Sequence, residues 1–156
     1  MQLTRRADFA LRVLIHVAAH PDERITAARV AQDFGLSSHH ISKVAMELVH
    51  QGWLRGVRGR TGHLQLAVPA EQIRVGDVVR AMEPDGPLVE CFDPETNTCP
   101  IVGACRLERV LGEALDCFVT TLNKYTLADM LVNQPHLVRK LARARAAVLL
   151  AEQEAQ

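Results

Sequence analysis

Two short helical stretches separated by only Phe34-Gly35-Leu36-Ser37 constrain this chain more than any other feature in it. The first opens at Thr26, whose hydroxyl suits a helix cap, and carries Ala27, Ala28, Val30 and Ala31 up to Gly35, where a left-handed terminus meets no side chain. Ser37 stands where a cap is needed for the second, and Ile41, Val44, Ala45, Leu48 and Val49 fall on one face of it before Gln51-Gly52. A turn this short forces a sharp reversal, which is the signature of a helix-turn-helix. An ordinary three-helix core with a polar outer face shares the pattern and is not excluded by it.

An earlier helix is expected from Thr4 to Ala19, with Ala7, Ala10, Leu11, Leu14, Ile15 and Ala18 at helical spacing, Asp8 near its start and Pro21 beyond its end. In a helix-turn-helix the N-terminal residues of the second helix reach base edges in the major groove. Here these are Ser37, Ser38, His39, His40, Ser42 and Lys43, all able to hydrogen-bond. The next segment favours DNA. Residues 53–58 and 63–68 read as two strands around the tip Gly59-Arg60-Thr61-Gly62, and no acidic residue interrupts the chain between Glu47 and Glu71. Arg55, Arg58, Arg60 and His63 make this hairpin a basic wing suited to phosphates or a minor groove.

Charge agrees with that placement. The net charge is zero, yet residues 1–82 hold 11 Lys+Arg against 7 Asp+Glu, and residues 83–156 hold 7 against 11. A basic first half suits a polyanion, so the nucleic-acid surface is expected there. No apolar run approaches the length of a membrane span, and the opening residues are amphipathic, so a cytoplasmic protein with no membrane partner is expected. In that compartment thiols stay reduced, and clustered cysteines point to metal or redox chemistry.

Three of the four cysteines, Cys91, Cys99 and Cys105, fall in a loop with two prolines and a glycine, and their sulfurs are expected to converge. Convergent thiolates suit a soft metal or an iron–sulfur cluster. A reduced loop, or zinc completed by a histidine or an aspartate, are the alternatives; zinc sites usually contain a close Cys-x-x-Cys pair, and none is present. Cys117, outside the loop, reads as a buried small hydrophobe. The scattered histidines, His16 and His20 among them, do not read as ligands.

After the loop, Leu107, Val110, Leu111, Ala114, Leu115, Phe118, Val119 and Leu122 form an apolar stripe on a long helix that needs a packing partner, most simply a second copy of the chain. Before the loop, residues 73–82 read as a short helix. Thr126 with Asp129 predicts a last short helix before Pro135, and residues 137–156 an appended helix with no assigned role. No nucleophile-base arrangement and no phosphate-cradling loop is placed by motif, so no enzyme is expected.

Over residues 1–134 the chain resembles the winged-helix iron–sulfur regulators of the NsrR type, relatives of IscR. The resemblance rests on Met1-Gln2-Leu3-Thr4 with Asp8, on Leu66-Ala67 at the end of the wing, on Ile73-Arg74-Val75-Gly76-Asp77-Val78-Val79-Arg80, on Cys99-Pro100-Ile101-Val102-Gly103-Ala104-Cys105-Arg106-Leu107 and on Tyr125-Thr126-Leu127-Ala128-Asp129. It implies a homodimeric repressor on a palindromic operator, with Cys91, Cys99 and Cys105 binding a cluster of the 4Fe–4S type. Nitric oxide destroying or nitrosylating that cluster would release the DNA. Asp8 matches the position where some members supply a fourth ligand, from the first helix of the partner subunit, where regulators sensing cluster supply use a histidine elsewhere; an acidic residue placed near a helix N-terminus is the alternative. The wing tip lacks the Gly-Gly pair common in relatives, and His39-His40 is unusual; both bear on the operator sequence.

The expected fold is therefore mainly α with a small β-hairpin wing. Its expected parts are a winged helix-turn-helix at 1–82, a cluster-binding loop at 83–105, a dimerisation helix with a short capping helix at 106–134, and a tail at 135–156. The rival readings are a sensor of iron or cluster supply, a zinc-stabilised winged-helix module and an electron-transfer or cluster-carrier protein.

Overall fold

A computed structural model describes residues 3–59, 62–84 and 86–154, the last four of them in backbone only. Arg60, at the tip of the expected wing, lies outside the described residues, as do Met1 and Gln2 of the opening. Helix α1 spans Arg5–Ala19 and is capped by Thr4, whose hydroxyl accepts from the Ala7 amide at 3.2 Å. Ala7, Ala10, Val13, Leu14 and Val17 are its buried face. Helix α2, Ala27–Phe34, is capped by the Thr26 hydroxyl and ends at Gly35 in the left-handed region, φ 62°. Helix α3, Ser38–His50, comes directly after and buries Ile41, Val44, Ala45 and Leu48. Ser37 occupies the cap position without a side-chain bond, so its hydroxyl is free for another partner.

These three helices close one hydrophobic core, which the hairpin extends. Strand β1, Leu54–Val57, pairs antiparallel with β2, His63–Leu66, in the register Leu54↔Leu66 and Val57↔His63. Both strands are shorter than expected at their outer ends. The Leu64 amide also donates to the Ile25 carbonyl at 2.7 Å, which ties the hairpin to the segment before α2.

Helix α4, Val75–Met82, starts two residues later than expected because Ile73 and Arg74 are extended. They pair with the chain returning after the long helix: the Val75 amide donates to the Tyr125 carbonyl at 3.0 Å and the Leu127 amide to the Ile73 carbonyl at 2.8 Å. The long helix α5, Arg106–Leu122, buries none of its residues in the single chain. Leu107 is 60 % exposed and Val110 49 %, and Ala114 is exposed too, whereas Leu111, Leu115, Phe118, Val119 and Leu122 are half-buried, so the expected apolar stripe is only partly covered. Cys117 is exposed, and the expectation that it would be buried is corrected. The short helix expected after Thr126 is a single 3-10 turn, Ala128–Leu131, whose Asp129 carboxylate accepts from the Thr126 amide and hydroxyl at 2.7 and 2.9 Å.

The tail departs furthest from expectation. Helix α6, Gln134–Glu154, begins before Pro135, which a first helical turn accommodates because its missing N–H has no partner to lose there. It returns to α2: Leu141 is 5 % exposed, the Gln134 amide donates to the Ala19 carbonyl at 2.7 Å, and the Arg145 guanidinium lies 3.8 Å from Asp33.

Candidate metal centre and DNA-reading face

The candidate DNA-reading face is built by the turn at Gly35, which sets α3 at the surface with Ser37, Ser38, His39, His40, Ser42 and Lys43 all exposed and Ile41, Val44, Ala45 and Leu48 turned inward; Met46 and Val49, the latter expected on the inner face, are exposed. Beside it, Arg55 and Arg58 are exposed on the wing and His63 is half-buried. Arg55 stands opposite Gln65 in register and donates to its side-chain oxygen at 3.2 Å, which holds one cation above the hairpin surface. No described helix is long and apolar enough to cross a membrane.

Beneath this face lies an ion-pair group that the sequence pattern does not reveal. His16 and Asp33 are both buried, and His16 Nε2 sits 2.8 Å from Asp33 Oδ2, which Arg29 Nε also reaches at 2.8 Å. His20 stacks on His16, ring centroids 4.6 Å apart. Burial pushes the His16 imidazole below its ordinary range; the Asp33 bond opposes that, and His20 and Arg29 add to it. The group joins α1, α2 and, through Arg145, α6. Only its spacing on two separate helices could have announced it, and no local motif does.

The three cysteines of the loop are free and partly exposed. Cys91 lies in a 3-10 turn, Glu90–Phe92, and Cys105 is the N-cap of α5. The ring of Phe92 rests against Gly112, which sets the turn on the flank of α5. Partial burial pushes the Cys91 thiol up, and the Glu108 carboxylate and the Cys99 and Cys105 sulfurs push in the same direction. Among the described residues no three His, Cys, Asp or Glu side chains form a metal-holding group, so the expected convergence of Cys91, Cys99 and Cys105 on one point is not seen in the single chain. As a donor set, three free thiols in one loop suit a soft metal or an iron–sulfur cluster.

Carboxylates organise the loop. Glu90 accepts from the Thr98 amide and hydroxyl, and these bonds hold its carboxyl below the usual range. Asp93 accepts from the Thr96 hydroxyl and the Glu95 amide, with the same effect. Asp8 is elsewhere in the chain, in the first turn of α1, where Arg12 pairs with it at 2.8 Å and its side chain is 43 % exposed. The Arg12 guanidinium lies 5.6 Å from the centre of the Phe34 ring, at the end of α2.

Comparison with known proteins agrees with this geometry. Residues 3–133 match the family Rrf2, described as an iron-dependent transcriptional regulator. The HTH-type transcriptional regulator NsrR of Halalkalibacterium halodurans is 41% identical over 138 residues, covering 88% of this chain and 94% of that protein. The regulator of the same name from Bacillus subtilis is 39% identical over 142 residues, 90% of this chain and 97% of that one. Among solved structures, IscR of T. potens superposes with a TM-score of 0.68 at 22% identity, over 85% of this chain and 88% of that one. CymR, the global cysteine regulator of B. subtilis, superposes with a TM-score of 0.65 at 22% identity, over 83% and 95%.

Proposed function

The chain belongs to the Rrf2 family of transcriptional regulators, and from that premise we propose that it is a homodimeric repressor of palindromic operators whose iron–sulfur cluster senses nitric oxide. It is a regulator and not an enzyme, as its relatives are. The observation that carries the nitric-oxide reading is the 39–41% identity, over about nine-tenths of the chain, to regulators named NsrR. The free thiols of Cys91, Cys99 and Cys105 support the cofactor.

In this reading residues 1–82 bind DNA, 83–105 hold the cluster and 106–134 pair with a second copy, while in the tail, 135–156, Leu141 and Arg145 of α6 brace the DNA-binding part. Ser37, Ser38, His39, His40, Ser42 and Lys43 face base edges and phosphates, while Arg55, Arg58, Arg60 and His63 track the flanking backbone. The unpartnered apolar residues of α5 are what a two-fold partner would cover.

Cys91, Cys99 and Cys105 would hold a cluster of the 4Fe–4S type, with Asp8 of the partner subunit as the fourth and most exchangeable donor. Bound there, the cluster supplies iron that nitric oxide can attack. What the chain's own residues contribute is a choice of partner for Asp8. Paired with Arg12, as in the single chain, Asp8 keeps that guanidinium beside both its own helix and the Phe34 ring at the turn of the helix-turn-helix. Drawn away to another subunit, it leaves Arg12 without its carboxylate, so α1 and the turn bear different contacts in the two states. Differential contacts of this kind are what a coupling between signal and DNA affinity requires.

The test is the visible absorption of protein purified without oxygen, before and after nitric oxide, with retention of operator-like DNA measured in parallel. A coloured protein that bleaches and drops its DNA supports the reading. A colourless, zinc-bearing protein whose DNA binding ignores nitric oxide overturns it. Sensing of iron or cluster supply is the second reading, favoured by the family description as iron-dependent; release of DNA on iron chelation, with indifference to nitric oxide, selects it.

A further inference from the structure

The loop between Cys91 and Cys99 receives no shape from a core, because none of the described residues from 86 to 105 is buried. Its shape comes from side chains bonded across it. Glu90, next to Cys91, accepts through Oε1 from the Thr98 amide at 2.5 Å and the Thr98 hydroxyl at 2.6 Å, and Thr98 is next to Cys99. The residues that precede the two cysteines are thereby fastened together. Inside the closed segment the Asn97 amide donates to the Asp93 carbonyl at 3.0 Å, and Asn97 Oδ1 accepts from the Cys99 amide at 2.9 Å. Phe92, on the same turn as Glu90, rests against Gly112 of the helix that Cys105 caps.

We propose that Glu90 is a positioning residue that closes the loop between Cys91 and Cys99, so that the apo-chain already holds these two sulfurs near their ligand positions. The inference rests on the reading of the cysteines as cluster ligands and adds a residue to it. Chain-closure entropy sets the scale: for a segment of eight residues the closure factor is about eight to the power three-halves, or about twentyfold, which is the ceiling on what the fastening can contribute to affinity. An exposed pair realises part of that, and about tenfold is expected.

The experiment uses the whole chain prepared without metal and without oxygen, as wild type, Glu90→Ala, Glu90→Gln and Cys91→Ser. Cobalt(II) is the probe, read by thiolate-to-cobalt charge-transfer absorption, and amide hydrogen exchange at Thr98 and Cys99 is measured before cobalt is added. Glu90→Ala is expected to speed exchange at Thr98 and weaken cobalt binding, each by about tenfold, with an unchanged unfolding midpoint because the loop touches no core. Glu90→Gln loses the charge but keeps an acceptor oxygen, and is expected within about threefold of wild type.

Equal behaviour of Glu90→Ala and wild type overturns the proposal. So does a Glu90→Gln variant as weak as Glu90→Ala, since charge and not closure would then account for the loss. Failure of the underlying reading looks different: wild type shows no charge-transfer band, or a band that Cys91→Ser leaves intact.

Discussion

Replacing Gly76 with alanine sets two opposed effects against each other in one helix. Gly76 lies in the first turn of α4, and in an exposed helix the change stabilises by up to about 1 kcal/mol through backbone entropy. Here α5 is too close. A Cβ on Gly76 would stand 2.8 Å from the Val119 carbonyl oxygen and closer still to the Asn123 carboxamide. The carbonyl belongs to a helix backbone and cannot swing aside, so α4 and α5 must part. Overpacking of this kind costs about 1–3 kcal/mol. Displacing Asn123 also loosens its bond to Asp77 at 3.0 Å, worth about 0.5–1.5 kcal/mol. The steric side wins, and the net loss is about 0.5–3.5 kcal/mol, with the middle of that range near 2 kcal/mol.

For a chain of this size 2 kcal/mol corresponds to a fall in Tm of about 4–8 °C. Thermal unfolding monitored by far-ultraviolet circular dichroism would read it. Gly56→Ala is the control, because a Cβ there meets nothing within 4 Å, and it is expected to be neutral or slightly stabilising. Adding Asn123→Ala to Gly76→Ala should recover only part of the loss, since the Val119 carbonyl stays where it is. A Gly76→Ala protein as stable as wild type would refute the reasoning, showing that α5 is free to move away from α4. The same contact links the loop to the first helix, because Cys105 caps α5 while α4 packs on α1.

Other consequences are open to measurement. Operator binding should lose about two-thousandfold to twenty-thousandfold between 50 and 200 mM salt if six to eight phosphates are contacted per dimer, and binding indifferent to salt would contradict the assigned face. Because burial depresses the His16 pKa, the folded chain binds fewer protons there than the unfolded one; this contribution to stability is complete above the ordinary value of 6.5 and is lost as pH falls below it. Thermal midpoints should accordingly decline between pH 7 and 5, and a flat profile would count against a buried neutral His16. Asp33→Ala strands the imidazole and the Arg29 guanidinium, at a cost toward the lower end of about 3–5 kcal/mol because Arg29 is 28 % exposed, as urea unfolding would show. Leu48→Ala, at a fully buried position, is expected to cost about 2–5 kcal/mol in the same assay.

Much of this protein was set by local sequence. The caps at Thr4 and Thr26, the reversal at Gly35 and the alternation that makes the wing depend on residues within a turn or two of one another, and their physics is complete at that range. The free cysteines and their grouping in one loop are legible for the same reason, as is the apolar stripe of α5, which the single chain covers only in part. Tertiary structure decided what no local pattern encodes. It brought His16 and Asp33 together from different helices, where burial holds the imidazole below its ordinary range. It packed α4 so near α5 that a side chain at Gly76 meets the Val119 carbonyl, and left Cys117 exposed elsewhere on the same helix. It also folded α6 back onto α2. The cations Arg139, Lys140, Arg143 and Arg145 therefore sit with the basic half of the chain and not with the acidic half to which they belong in sequence. Charge counted along a chain is one-dimensional, whereas the field at a surface depends on where packing places each group.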